Sequence, residues 1–148
     1  MNPRLFDHRT EDAAALAALH ATSFPDAWSA ASFRDLFATP GVFAFLLPNG
    51  FILARAAGGE AEILTLAVTP SARRQGLARA LVRAAAAHAE MLGAETLFLE
   101  VATHNGPAVG LYTGLGFAKA GTRKAYYAGQ DAHVLKVILP LPNPPDFA

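Results

Sequence analysis

Cysteine is absent from the 148-residue chain. That excludes disulfides, thiolate metal sites and a cysteine nucleophile. No apolar run reaches the roughly 18 residues a membrane helix needs. The opening Met1-Asn2-Pro3-Arg4-Leu5-Phe6-Asp7 lacks the apolar stretch of a signal peptide. No membrane association and a cytoplasmic location are therefore expected. Neither charge is in excess, with 12 basic and 12 acidic side chains, so no direct nucleic-acid binding is expected either. Gly-x-Ser-x-Gly and Gly-x-x-x-x-Gly-Lys-(Ser/Thr) are both missing, which leaves hydrolase and nucleoside-triphosphatase readings without support. His8, His20, His88 and His133 show no ligand spacing with one another or with acids, so no metal is expected.

What is present is a largely apolar sequence, 53% hydrophobic and 16% charged, sufficient for one folded domain over residues 1–148. The proline-rich end, from about 140 to 148, cannot continue a sheet and is expected to fray. Residues 5–9 suit a short first strand. Thr10-Glu11-Asp12 reads as a helix start with Thr10 as cap, and Ser29 as the cap of a second helix carrying Phe33, Leu36 and Phe37. Residues 42–47 and 51–57 flank Pro48-Asn49-Gly50, a hairpin signal. A third strand ends at Val68 and follows the Gly58-Gly59 turn. Leu77, Leu81, Ala84, Ala85, His88 and Leu92 mark a long helix over residues 76–92, with Gly93 as its stop. A strand over residues 96–101 follows, then a helix capped by Asn105 and ending near Gly114-Leu115-Gly116, then a hairpin built from residues 117–127 and 132–141. The strand–helix–strand run across residues 62–101 requires a right-handed crossover between parallel strands. The expected fold is α/β (α+β): a mixed, mostly antiparallel sheet of six to seven strands flanked by about four helices.

One stretch is uneven in charge. Arg73, Arg74, Arg79 and Arg83 fall within residues 73–83, which contain no acid. They surround Gln75, Gly76, Leu77 and Ala78 at a strand-to-helix junction. Unpaired N–H groups at a helix start attract an anion. Gly76 and Ala78 keep that backbone approachable, and arginines add charge-assisted contacts. A solvated arginine-rich helix face is the competing reading. Gly114-Leu115-Gly116 ends a helix and reads as a C-cap.

Arg73-Arg74-Gln75-Gly76-Leu77-Ala78 resembles the (Gln/Arg)-x-x-Gly-x-(Gly/Ala) signature of GNAT acetyltransferases, and Leu64-Thr65-Leu66-Ala67-Val68-Thr69-Pro70 resembles the strand and turn before it. The order of elements is similar along essentially the whole chain. The resemblance implies a GNAT fold in which strands four and five are parallel and splay apart. It further implies acetyl-CoA as cosubstrate, with its pyrophosphate on residues 73–79 and its pantetheine arm along Leu66, Ala67 and Val68.

Acetylating an amine calls for a base near the amine and an acid near the departing thiolate. Leu99-Glu100-Val101-Ala102-Thr103-His104-Asn105, with Ala108-Val109-Gly110-Leu111-Tyr112 and Gly114-Leu115-Gly116-Phe117, is similar to the branch that acetylates the N-terminal alanine of ribosomal proteins. That resemblance implies Glu100 as general base, Tyr112 as general acid and Asn105 as a CoA contact. Glu60, Glu62 and His104 remain alternative bases. Phe24-Pro25-Asp26-Ala27-Trp28-Ser29 and Lys124-Ala125-Tyr126-Tyr127 resemble that branch's acceptor-side segments, so Trp28, Tyr126 and Tyr127 are expected to meet the substrate. Ala27 stands where the branch usually has proline.

The implied partner is a protein N-terminal peptide, from a small-subunit ribosomal protein, and the chain is expected to be a monomer or weak dimer. A chain-terminal amine titrates near about 7.7–8.0, whereas a lysine needs about three pH units of help, which suits a terminal-amine acceptor. A small-molecule amine or amino acid as acceptor, and a catalytically silent CoA-binding module, are the competing readings.

Overall fold

The computed structural model describes residues 2–127 and 130–143, without the side chains of residues 125–127. The elements are β1 (Arg4–Leu5), α1 (Ala14–Ala21), α2 (Ala30–Phe37), β2 (Val42–Leu47), β3 (Gly50–Ala57), β4 (Glu60–Val68), α3 (Leu77–Met91), β5 (Thr96–Ala102), α4 (Gly106–Gly114), β6 (Ala118–Tyr127) and β7 (Gln130–Ile138). The strands form one seven-stranded sheet in the order β1-β2-β3-β4-β5-β7-β6. Only β4 and β5 are parallel; the other neighbours are antiparallel. This is the mixed, mostly antiparallel sheet that the sequence order implies. Among the described residues no helix is long and apolar enough to cross a membrane.

Several expected boundaries move. Thr10 is not a helix cap: Glu11 accepts the Asp7 N–H at 2.8 Å and pairs with Arg4 at 2.7 Å. Residues 7–12 are thereby held as a loop, and α1 begins only at Ala14. The Asn-Gly hairpin is also differently built. Leu47 pairs with Gly50, so Pro48-Asn49 is the two-residue turn and Gly50 is the first residue of β3. A Cβ on Gly50 would lie 2.8 Å from the Ala67 carbonyl oxygen; close backbone approach selects glycine there. The final strand stops at Ile138, short of 141.

Each face of the sheet has its own core. Helices α1 and α2 cover one face through Leu16, Phe33 and Phe37 against Phe51, Leu53 and Ala67. Helix α3 covers the other, burying Leu81, Val82, Ala85 and Ala89 against Ile52, Ala54, Leu97 and Leu99. Completely buried side chains such as Phe33 and Leu81 each contribute about 1.5–3 kcal/mol of transfer free energy. Ser29 caps α2 by accepting the Ser32 N–H at 3.1 Å, as its position before the apolar stripe implies.

Candidate active site

The ladder between β4 and β5 is short. It pairs Glu60 with Thr96, Ala61 with Leu97 and Glu62 with Phe98, and goes no further. Immediately beyond, β4 carries an irregularity: Ala54 pairs with Ile63 and Leu53 with Thr65, leaving Leu64 as an extra residue. A bulge of this kind bends its strand and sharpens the local twist, which turns β4 away from β5. The Thr69 N–H donates to the Asn49 carbonyl at 2.9 Å. Counting back along the antiparallel alternation, Ala67 directs its backbone to β3, while Leu66 and Val68 direct theirs into the gap.

The start of α3 lies at the mouth of this gap. Pro70–Ala72 forms one 3-10 turn, and Arg74 (φ 65°) and Gly76 (φ 79°) both take left-handed conformations. The helix therefore begins without a side-chain cap and with no acid in its first turn. Its first N–H groups have no intrahelical partner, and nothing lies within 4 Å of where a Gly76 Cβ would stand. The resulting cleft, about 690 Å³, combines apolar walls from Leu66, Leu77 and Leu111 with a polar end at Arg74, Arg79 and Asn105. Ala67, Val68, Arg73, Gly76 and Ala78 also line it, and Gln75 does not.

The polar side chains of the cleft are individually constrained. Asn105 Oδ1 accepts the Ala108 N–H at 3.3 Å, capping α4. Arg79 Nη2 lies 3.2 Å from the position of a Cβ on Gly114, so its guanidinium extends over the C-terminal end of α4, where the helix dipole favours a cation. Arg73 does not project into open space: its Nε donates to the Val68 carbonyl at 3.0 Å and its Nη2 to Ser23 Oγ at 3.1 Å.

Glu100 and Tyr112 stand on opposite sides of β5. Residues 97, 99 and 101 face the α3 core, whereas Glu100 projects to the other face. There it joins Arg55, Glu60, Glu62, Phe98 and Arg123 around a second cavity of about 340 Å³. Arg123 forms an ion pair with Glu100 at 2.9 Å. Burial raises the Glu62 carboxyl above its ordinary value, the Glu100 charge adds to this, and Arg123 and Arg55 oppose it. Tyr112 is 7% exposed, sits in the α3-side core and meets Phe117 edge-on at 5.5 Å. His104 is exposed in the turn before α4.

Trp28 is held by a residue that sequence reasoning assigned no role. Its backbone N–H donates to His20 Nδ1 at 3.1 Å, and the two rings stack at 4.9 Å. His20 is 2% exposed, and burial lowers its pKa; an accepting Nδ1 places the proton of the neutral ring on Nε2. The signal was a histidine eight residues before the lone tryptophan in an aromatic-rich stretch. Arg123 was missed likewise, because its approach to Glu100 depends on strand register. The side chains of Tyr126 and Tyr127, expected to face the acceptor, lie outside the described residues. Among the described residues no group of His, Asp or Glu gathers as metal ligands would.

The sequence profile of the Acetyltransferase (GNAT) family matches residues 13–117. The chain belongs to that family. Among GNAT relatives, a ribosomal protein bS18-alanine N-acetyltransferase of Escherichia coli (strain K12) is 41% identical over 83 residues, covering 56% of this chain and 56% of that protein. The chain thus spans about half the length of that relative. A candidate ribosomal protein bS18-alanine N-acetyltransferase of Bacillus subtilis (strain 168) is 32% identical over 139 residues, covering 88% of this chain and 92% of that one. The GNAT fold is matched in the crystal structure of the Escherichia coli ribosomal-protein-S18-alanine N-acetyltransferase, with a TM-score of 0.80 at 27% identity over 95% of this chain and 96% of that chain.

Proposed function

We propose that this GNAT protein transfers an acetyl group from acetyl-CoA to the α-amine of a protein N-terminus, with a ribosomal protein beginning in alanine as the acceptor. The observation that carries the proposal is the unpaired edge of β4 beside an uncapped, acid-free helix start. An acyl-CoA needs both features: peptide-like groups along its pantetheine arm seek an open strand edge, and its pyrophosphate seeks a helix N-terminus. A 690 Å³ cleft that is apolar along its walls and basic at one end suits that molecule. The names of the two bacterial relatives support the choice of acceptor.

In this reading, the backbone N–H and C=O of Leu66 and the N–H of Val68 hold the pantetheine arm, the Val68 carbonyl being taken by Arg73 and Ser23. Residues 74–79 hold the pyrophosphate through the N–H groups that open α3, with Arg74 and Arg79 supplying charge. The amide NH2 of Asn105, whose Oδ1 is committed to its helix cap, donates to CoA. Acetyl-CoA supplies the activated acyl carbon. The acceptor amine enters from the open face of β5, between the Trp28 loop and the β6–β7 hairpin.

Glu100 takes one proton from the acceptor ammonium. The freed amine attacks the thioester carbonyl and the C–N bond forms. As the C–S bond breaks, Tyr112 gives its proton to the departing thiolate, the second proton leaving nitrogen passes to the Tyr112 phenolate through water, and Glu100 releases its proton to solvent. The two groups approach β5 from opposite faces, which suits a reaction centred in the gap. The products are an N-acetylated peptide and CoA thiol.

Incubation with labelled acetyl-CoA and an alanine-starting peptide tests this directly. Label should appear on the peptide α-amine. Label absent above background, alongside an active control enzyme, refutes the proposal; label on small amines alone replaces the acceptor.

A further inference from the structure

Three hydrogen bonds join Arg73, Ser23 and the Val68 carbonyl, groups that the reaction scheme leaves unused. Arg73 belongs to the glycine-containing turn before α3. Ser23 immediately precedes the segment that leads to Trp28. The Val68 carbonyl is the last backbone acceptor of β4 on the gap side. Arg73 Nε donates to Val68 O at 3.0 Å, Arg73 Nη2 donates to Ser23 Oγ at 3.1 Å, and Ser23 Oγ donates to Val68 O at 3.2 Å. Residues 23 and 73 are 50 positions apart in sequence, and no strand pairing joins them.

We propose that Arg73 is a positioning residue, tying the acyl-donor turn to the acceptor-side loop so that filling the donor cleft sets the Trp28 loop. The inference rests on the functional reading above. A guanidinium whose Nε and Nη2 are both committed within the protein is a strut; its planar fork fixes two acceptors at once, as a lysine cannot. The anion-binding charge then falls to Arg74, Arg79 and the helix start.

The geometry gives the strut something to transmit. Arg74, next in sequence, holds a left-handed backbone, a conformation that costs a non-glycine residue free energy unless its surroundings impose it. An anion seated on the N–H groups of that turn favours this conformation and so fixes Arg73. Through Ser23 the constraint reaches Phe24, which is 39% exposed and lines the donor cleft. It continues through the loop to Trp28, whose far end is anchored on His20. Ordering a loop before the acceptor arrives removes part of the entropy that acceptor binding would otherwise lose.

Trp28 is the chain's single tryptophan, so its fluorescence reports this loop. CoA titrated into the wild type should change Trp28 emission, with saturation matching calorimetric binding. In Ser23→Ala and Arg73→Gln, CoA should bind with a Kd within about twofold of wild type. The emission change should be largely lost, and the acceptor-peptide KM should rise about fivefold with kcat little altered, as expected for one hydrogen bond of ~1 kcal/mol. Ser23→Thr, which keeps the hydroxyl, should restore the response. The double variant should be no worse than Arg73→Gln alone, since both changes cut one connection.

A silent wild-type Trp28, an undiminished response in Ser23→Ala, or a loss of CoA affinity of about tenfold or more in Arg73→Gln overturns the strut. The last result would make the guanidinium a phosphate ligand, about 1.4 kcal/mol being lost per tenfold. A wild type that does not bind CoA at all overturns the strut together with the acetyltransferase reading, whereas the other failures leave that reading intact.

Discussion

Arg123 on β6 reaches across β7 to Glu100 on β5, closing an ion pair of 2.9 Å on the side of these strands turned away from α3. The contact combines a half-exposed guanidinium with a carboxylate that retains only 14% of its side-chain exposure. A carboxylate held this way is oriented along the face where an acceptor amine would arrive. Replacing Glu100 by Gln should lower kcat/KM by about 10²–10⁴, the usual contribution of a general base, and leave the calorimetric CoA affinity unchanged. Steady-state kinetics with the alanine-starting peptide measures this. If Glu62→Gln causes the loss and Glu100→Gln does not, the base is Glu62.

Tyr112 is a separate test because it lies on the other side of β5. Tyr112→Phe keeps the ring against Phe117 and removes only the hydroxyl, so the fold should be retained. Turnover should fall by about 10²-fold or more if that hydroxyl delivers the proton to the thiolate. An unaltered kcat, measured where chemistry limits the rate, removes Tyr112 from the acid role.

The turn before α3 should tolerate little side chain at Gly76. There is room for a Cβ, so the cost comes from the φ of 79° and not from collision. Gly76→Ala should carry about 1–2 kcal/mol of left-handed backbone strain. If the turn relaxes to escape it, CoA binding should weaken by about 5–30-fold. Calorimetry on the variant reads this, and an unchanged Kd would place the pyrophosphate elsewhere.

Acid should loosen the Trp28 loop. Burial lowers the pKa of His20, and also that of His88, which packs against Phe43 and Phe45. Both pKa values in the folded chain lie below the unfolded value of about 6.5. The unfolded chain therefore binds more protons below that pH, so the stability from the neutral rings is full above it and is lost as pH falls toward the lowered folded values. Melting curves from neutral to mildly acidic pH should show Tm falling, with a change in Trp28 emission as the His20 Nδ1 acceptor is protonated. His20→Gln should remove part of that slope and His88→Leu another part. Equal slopes in wild type and His20→Gln would exclude His20 as the source.

Much of this architecture is legible from local chemistry. The apolar stripe of α3, the Ser29 and Asn105 caps and the element order follow from spacing and from residues adjacent in sequence. The turn before α3 was readable as a candidate anion site because small and basic residues lie together there with no acid between them. The errors share a cause: contacts from outside the local window decided the outcome. Glu11 was drawn back to Arg4 and the Asp7 N–H, so Thr10 caps nothing. Gly50 was selected by the Ala67 carbonyl on a neighbouring strand and not by a turn. His20 beneath Trp28, Arg123 beside Glu100 and Ser23 beside Arg73 all depend on tertiary register, which periodicity along one segment does not encode.

Leu64 shows how little sequence separates a closed sheet from a working cleft. On either side of it the β3–β4 pairing keeps the same facing, since Ile63 meets Ala54 and Thr65 meets Leu53. A chain lacking that single position would keep both cores but lose the bend that parts the parallel strands. Hydrogen bonding could then zip onward past Glu62 and Phe98, sealing the slot from inside. The opening is thus specified by a count of residues, and a one-codon deletion there should yield a well-folded protein with nowhere to seat its acyl donor.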